Sequence, residues 1–181
     1  MSIIVNGASI PTNGDYIVVN GVRVEKVIAN GVVVWKKETK RYIWDGTTLY
    51  PGVSLSGFSR NEGKLISLCE RSTDDEDPID KTVSIGGINL SGYGKLIVTS
   101  NIYNPLTFGA AYVRYGVDSA SQTFFDLGSY GEITIVQGVL DISQYNGLHS
   151  LNFYQYARND SSYGGSAARA NLGITEILLE P

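Results

Sequence analysis

The sequence predicts an all-β protein, built as a small N-terminal β-hairpin or meander module followed by a jelly-roll β-sandwich. Three observations lead there. Apolar residues alternate or run in short blocks, and turn residues interrupt them every ~8–12 positions, so no convincing helix emerges. Glycine is frequent at 21 residues, and tyrosine at 12 outnumbers phenylalanine and tryptophan together, a composition that suits short strands and tight turns. The dipeptide Asn-Gly recurs at 6–7, 13–14, 20–21 and 30–31. Both residues tolerate φ > 0, which a two-residue type I′ hairpin turn requires.

Taken in order, residues 1–38 read as small hairpins: "SIIVNG", "ASIP", "YIVVNG", "VRVEKVIANG" and "VVVWKK". A module this short cannot hold a core without help, since chains below ~40 residues usually need disulfides, metal or association. Its apolar face is therefore expected to be covered, either by another subunit in a homo-oligomer formed through residues 1–38 or by its own larger domain. Residues 39–47 shift in composition and read as a linker. Residues 48–181 carry the sandwich, with strands expected at 64–70, 82–85, 95–103, 108–115, 132–142, 149–157 and 172–180. Seven or eight strands with polar loops between them fit two packed sheets. The last of them, "LGITEILLE", is expected to pair back with early strands and to be structural.

Charge is uneven along the chain. The net charge is −4, but residues 1–41 hold six basic and three acidic residues and the remainder is −7. An acidic main domain repels nucleic acid, so no nucleic-acid partner is expected. The single cysteine, Cys69, sits in an apolar run, which excludes an intrachain disulfide and points to burial. The opening residues lack a basic n-region and an apolar core, so no signal peptide is expected. Nothing approaches ~20 uninterrupted apolar residues, so neither is membrane insertion.

Catalytic signatures are missing. The single histidine, His149, stands where a turn becomes a strand, with no nucleophile motif nearby. One His and one Cys do not make a zinc site of the usual kind, and no Walker loop or dinucleotide fingerprint is present. The dense acidic stretch "STDDEDPID" offers Asp74, Asp75, Asp77 and Asp80. It reads either as a solvated loop or as a calcium loop, because hard cations favour several carboxylate oxygens from one segment. Its spacing misses the EF-hand pattern. No catalytic residue is assigned, no cofactor is expected, and calcium is the one ion left open.

The tyrosines carry more information. Alternation puts residues i, i+2 and i+4 on one face of a strand. In "LNFYQYA", Leu151 and Phe153 go one way, and Asn152, Tyr154 and Tyr156 the other. In "AAYVRYG", Tyr112 and Arg114 point away from Ala111 and Val113. If these strands share a sheet, its outer face combines Tyr112, Arg114, Asn152, Tyr154 and Tyr156. Flat rigid rings beside amide and guanidinium donors suit a sugar ring and its hydroxyls. The ordinary alternative is that tyrosine favours half-exposed strand positions. Tyr163, in the polar loop "RNDSSYGGSA", is a further candidate contact.

Two stretches also carry a resemblance. The opening "VNGVRVEKVIANGVVVWKK" resembles short N-terminal modules of phage and prophage minor structural proteins. "INLSGYGKLIVTSNIY", "GVLDISQYNGLHSLNFYQYA" and "LGITEILLE" resemble the jelly-roll, carbohydrate-binding-like domains at the ends of such tail proteins. The resemblance implies a virion protein of the tail or baseplate, made in a bacterial cytoplasm without a signal peptide. It implies two kinds of partner, other virion proteins and a host-surface glycan. It offers no catalytic residues. A purely structural virion role without a small ligand is the alternative.

Overall fold

The computed structural model describes residues 3–5, 8–10, 17–19, 22–24, 26–30, 32–36, 39–71, 77–101, 109–126, 135–159 and 168–181. Among them every regular element is a strand. The chain divides into two compact units, Met1–Thr39 and Lys40–Glu180.

In the first unit six strands pair two by two: β1 (Ile3–Val5) with β2 (Ala8–Ile10), β3 (Ile17–Val19) with β4 (Val22–Val24), and β5 (Lys26–Ala29) with β6 (Val32–Lys36). The closing pairs are Val5↔Ala8, Val19↔Val22 and Ala29↔Val32. Each encloses one Asn-Gly dipeptide, and Asn30 has φ 51°, the left-handed conformation such a turn demands. The fourth dipeptide, at 13–14, lies outside the described residues.

The second unit is a two-sheet sandwich. Its strands are β7 (Arg41–Trp44), β8 (Ser54–Ser56), β9 (Ser59–Asn61), β10 (Lys64–Ser67), β11 (Glu70–Arg71), β12 (Ile79–Asn89), β13 (Lys95–Asn101), β14 (Gly109–Val117), β15 (Gln122–Asp126), β16 (Val136–Asp141), β17 (Leu148–Asn159), β18 (Ala168–Arg169) and β19 (Leu172–Glu180). One sheet runs β16-β13-β19-β10-β9, with β7 also pairing with β19; the other runs β15-β14-β17-β12-β8. All pairings are antiparallel. The long strands β12, β13, β14, β16, β17 and β19 cross between the two sheets, with only β14 followed by a same-sheet hairpin partner, β15. This is jelly-roll connectivity.

The final strand pairs back with the early strands β7 and β10, as the sequence predicts, and lies in the middle of its sheet. One edge of β19 bonds β13 along its length, while the other is shared by β10 near Ile174 and β7 near Leu178. Leu172, Ile174, Ile177 and Leu179 are buried, although 174 and 177 are an odd number apart. A bulge explains this: Thr99 pairs with Glu176 but Ser100 with Ile174, leaving Thr175 extra. One inserted residue resets the alternation and keeps both halves facing inward. Strand β12 uses the same device at Gly86-Gly87, so that Ile85 and Ile88 both reach the core. Gly87 has φ 78°, and a Cβ there would meet the Gly52 carbonyl oxygen at 2.7 Å.

The expected linker at 39–47 is corrected by the structure. Arg41–Trp44 is a strand of the sandwich, and Ile43 and Trp44 are fully buried. Asp45 then ends it, accepting hydrogen bonds from the backbone N–H groups of Thr47 (2.8 Å) and Thr48 (2.6 Å). The turn residues Asp45 and Gly46 suggested a boundary, but the short apolar run before them fills a place in the core.

Between the sheets Phe153 is the hub, with Phe58, Tyr115 and Phe124 rings 5.8, 6.3 and 6.2 Å away. A polar side chain sits at the heart of this core. Gln155 is fully buried; its Oε1 accepts from the Ser67 hydroxyl (2.6 Å), and its Nε2 donates to the Ser67 (3.1 Å) and Ala170 (2.6 Å) carbonyls. A buried amide with its partners supplied ties the sheets in one register. Cys69 is buried as expected, and burial pushes its thiol up to about 11, which keeps it protonated and unreactive.

Candidate functional site

Strands β14 and β17 are neighbours, and their register pairs Tyr112 with Tyr156, Arg114 with Tyr154, and Gly116 with Asn152. Directly opposed residues share a face. Tyr112, Arg114, Asn152, Tyr154 and Tyr156 therefore come together on the outer face of the five-stranded sheet, while Ala111, Val113, Leu151 and Phe153 are buried beneath it.

The rings form a cluster rather than separate platforms. Tyr112 and Tyr156 stack with centroids 4.8 Å apart and planes 17° from parallel, close to the spacing of the strands that carry them. Tyr154 lies tilted 6.1 Å from Tyr112, and the Arg114 guanidinium sits over the Tyr112 ring at 5.0 Å. Tyr112 thus spends its ring on its neighbours. What the face presents outward is the guanidinium of Arg114, the Asn152 amide, and the remaining surface and hydroxyls of Tyr154 and Tyr156.

Neighbouring strands add groups that alternation within one strand does not reveal. Asp80 on β12 stands opposite Tyr156, Thr82 opposite Tyr154, and Asp126 on β15 opposite Tyr112. Burial, and then the Asp80 carboxylate, raises the Tyr154 phenol above its usual range, and the two groups hydrogen-bond. Tyr154 is the donor of that bond, so Asp80 orients its hydroxyl.

Asp80 was also a candidate calcium ligand. Its place is in strand β12, engaged with Tyr154, and exposed Asp77 precedes that strand. Asp74, Asp75 and Tyr163 lie outside the described residues. Among the described residues no group of three or more His, Cys, Asp or Glu is arranged to hold a metal ion.

A polar latch joins β17 to the loop that follows β14. His149 Nδ1 meets Asp118 Oδ2 at 2.7 Å and Nε2 meets the Asn146 carbonyl at 3.0 Å. Two acceptors on one ring favour the doubly protonated form, and these bonds raise the His149 pKa. Asp118, at φ 56°, also accepts from the Ser150 N–H at 3.0 Å; that bond and His149 hold its carboxyl below the usual range. The loop folds so tightly that a Cβ on Gly116 would lie 2.2 Å from the Ser119 carbonyl oxygen.

A groove of about 440 Å³ lies elsewhere, on the six-stranded sheet, lined by Ser59, Asn61, Lys64, Ile66, Leu68 and Gly173.

No family model and no curated protein matches the chain. Among solved structures, a variant of a carbohydrate-binding module of family 29 aligns with TM-score 0.39 and 13% identity, over 78% of this chain and 90% of its own. A second variant of a family 29 module, prepared to probe ligand recognition, gives TM-score 0.40 and 12% identity over 79% and 92%. Likenesses this distant carry neither a ligand nor a binding residue across to this chain.

Proposed function

We propose that this chain is a non-enzymatic adhesion protein that holds host-surface carbohydrate on the outer face of its five-stranded sheet. The observation that carries the reading is the convergence of Tyr112, Arg114, Asn152, Tyr154 and Tyr156 on one face, with Asp80 and Asp126 at its margins. Hydroxyl, amide, carboxylate and guanidinium groups around rigid rings offer both donors and acceptors to sugar hydroxyls, and apolar ring surface to sugar C–H groups. Tyr154, Tyr156, Asn152 and the Arg114 guanidinium make the contact; Tyr112, stacked on Tyr156, holds the cluster in place. The resemblance of the chain to tail proteins supports placing it in a virion, as a tail or baseplate component.

A purely structural virion role is the second reading. It is favoured by the stacking of Tyr112 on Tyr156 and of Arg114 on Tyr112, which satisfies the cluster without a ligand. Titration of the full chain with isolated bacterial surface polysaccharides separates the two. Saturable binding lost in Tyr154→Ala/Tyr156→Ala, with melting curves that show the variant folded, supports adhesion. No binding across a broad panel moves the weight to the structural reading.

A further inference from the structure

The outer face of the six-stranded sheet has a different pattern, written across four strands. Val139, Ile97, Leu178 and Tyr42 stand in one row, because Ile97 pairs with both Val139 and Leu178, and Leu178 with Tyr42. Val139 and Tyr42, at its two ends, are 50% and 48% exposed, while Ile97 between them is half-buried and Leu178 is buried, so the ends of the row carry its accessible apolar surface. The adjacent row is charged. Lys95 pairs with both Asp141 and Glu180, and Glu180 forms an ion pair with Lys40. Read across the sheet, the signs are minus, plus, minus, plus.

That order is self-complementary. A two-fold axis parallel to the strands, lying between β13 and β19, reverses the row and sets it against itself. Asp141 then faces the Lys40 position of the second copy, Lys95 faces Glu180, and the apolar row meets its own reverse. We propose that this face is an isologous interface on which a second copy of the chain packs sheet against sheet. Residues related in this way satisfy the requirement of a two-fold contact, that each patch complement itself. Aligned sheets pack about 10 Å apart through such side chains.

Size limits the strength of the contact. Four strands and six residues span roughly 19 Å by 20 Å, so each partner covers less than the ~800 Å² of a standard interface. The dimer is therefore reversible, forming in the micromolar range or above. It is distinct from the tyrosine face.

Sedimentation velocity of the full chain, from about 1 μM to about 500 μM, tests this. The expected result is a concentration-dependent monomer–dimer equilibrium. Val139→Glu puts a charge in the apolar row at a half-exposed position and abolishes the dimer. Lys95→Glu weakens it about tenfold or more, and adding Glu180→Lys restores it, since the swapped row remains self-complementary. Melting curves establish that each variant is folded; the exposed charge variants keep the test valid should Val139→Glu unfold. A chain that stays monomeric throughout overturns the proposal. So does a dimer indifferent to both single substitutions, or growth into larger open assemblies.

Discussion

The two outer faces of the sandwich rest on the same core and obey the same alternation, yet they present opposite chemistry. Over the five-stranded sheet, tyrosines, an arginine and an amide surround Phe153 and Leu151 from outside. Over the six-stranded sheet, an aliphatic row ending in Tyr42 lies beside a row of alternating charges. Hydrogen-bonding groups of mixed type suit a hydroxyl-rich ligand. Aliphatic side chains flanked by fixed charges suit another protein surface. Inward residues hold the fold, and outward residues are free to divide these tasks.

The largest expected effect lies under the tyrosine face. Phe153→Ala empties the hub of the core and lowers stability by about 3–5 kcal/mol in urea unfolding. Its outward neighbour Tyr154→Ala changes stability by no more than about 1 kcal/mol. Equal losses at the two positions would mean that the alternation is misassigned. Gln155→Ala comes next, leaving the Ser67 hydroxyl and two carbonyls without their buried partner. The same unfolding assay should register roughly 1–3 kcal/mol for such a loss. A smaller local effect is expected of Gly116→Ala, whose Cβ has to displace the Ser119 backbone. Faster amide exchange at 118–121 and at Ser150, with little change in β13 or β19, is the signature.

The smallest effect is a pH dependence confined to the latch. His149 is raised in the folded state, so its contribution is complete below the unfolded imidazole value, ~6.5, and is lost as pH rises through the folded one. Asp118 is lowered, so its contribution is complete above the unfolded carboxyl value, ~3.9, and is lost as pH falls through the folded one. The latch is therefore strongest between these limits. The melting difference between the protein and His149→Ala should be greatest near pH 5–6 and shrink at alkaline pH; a difference that grows with pH contradicts the assignment.

Much of this comparison was legible in the sequence. Alternation in "LNFYQYA" and "AAYVRYG" separates outward tyrosines from inward apolar residues, because a strand has only two faces. The hairpins of the first unit follow from Asn-Gly. Partner identity was not legible: Asp80 joins the face only through a strand far away in sequence and looked like part of an acidic loop, and Asp126 joins it through the register of the β14–β15 hairpin, which contains a bulge. Strands β8 and β9 were hidden by serine-rich composition. The turn joining β9 to β10 uses Glu62 and Gly63 at φ 47° and 76°, a left-handed glutamate that no simple turn signal announces. The apolar row on the six-stranded sheet draws one residue from each of four strands, so no single stretch displays it.

The most direct test of the central claim is calorimetric titration of the full chain with isolated host-surface polysaccharide, beside Tyr154→Ala/Tyr156→Ala. Saturable binding to the native chain, weakened about tenfold or more in the double variant while its melting curve shows it still folded, is the predicted result. Equal binding by both proteins would contradict the account, because the sugar would then be held somewhere other than the tyrosine face.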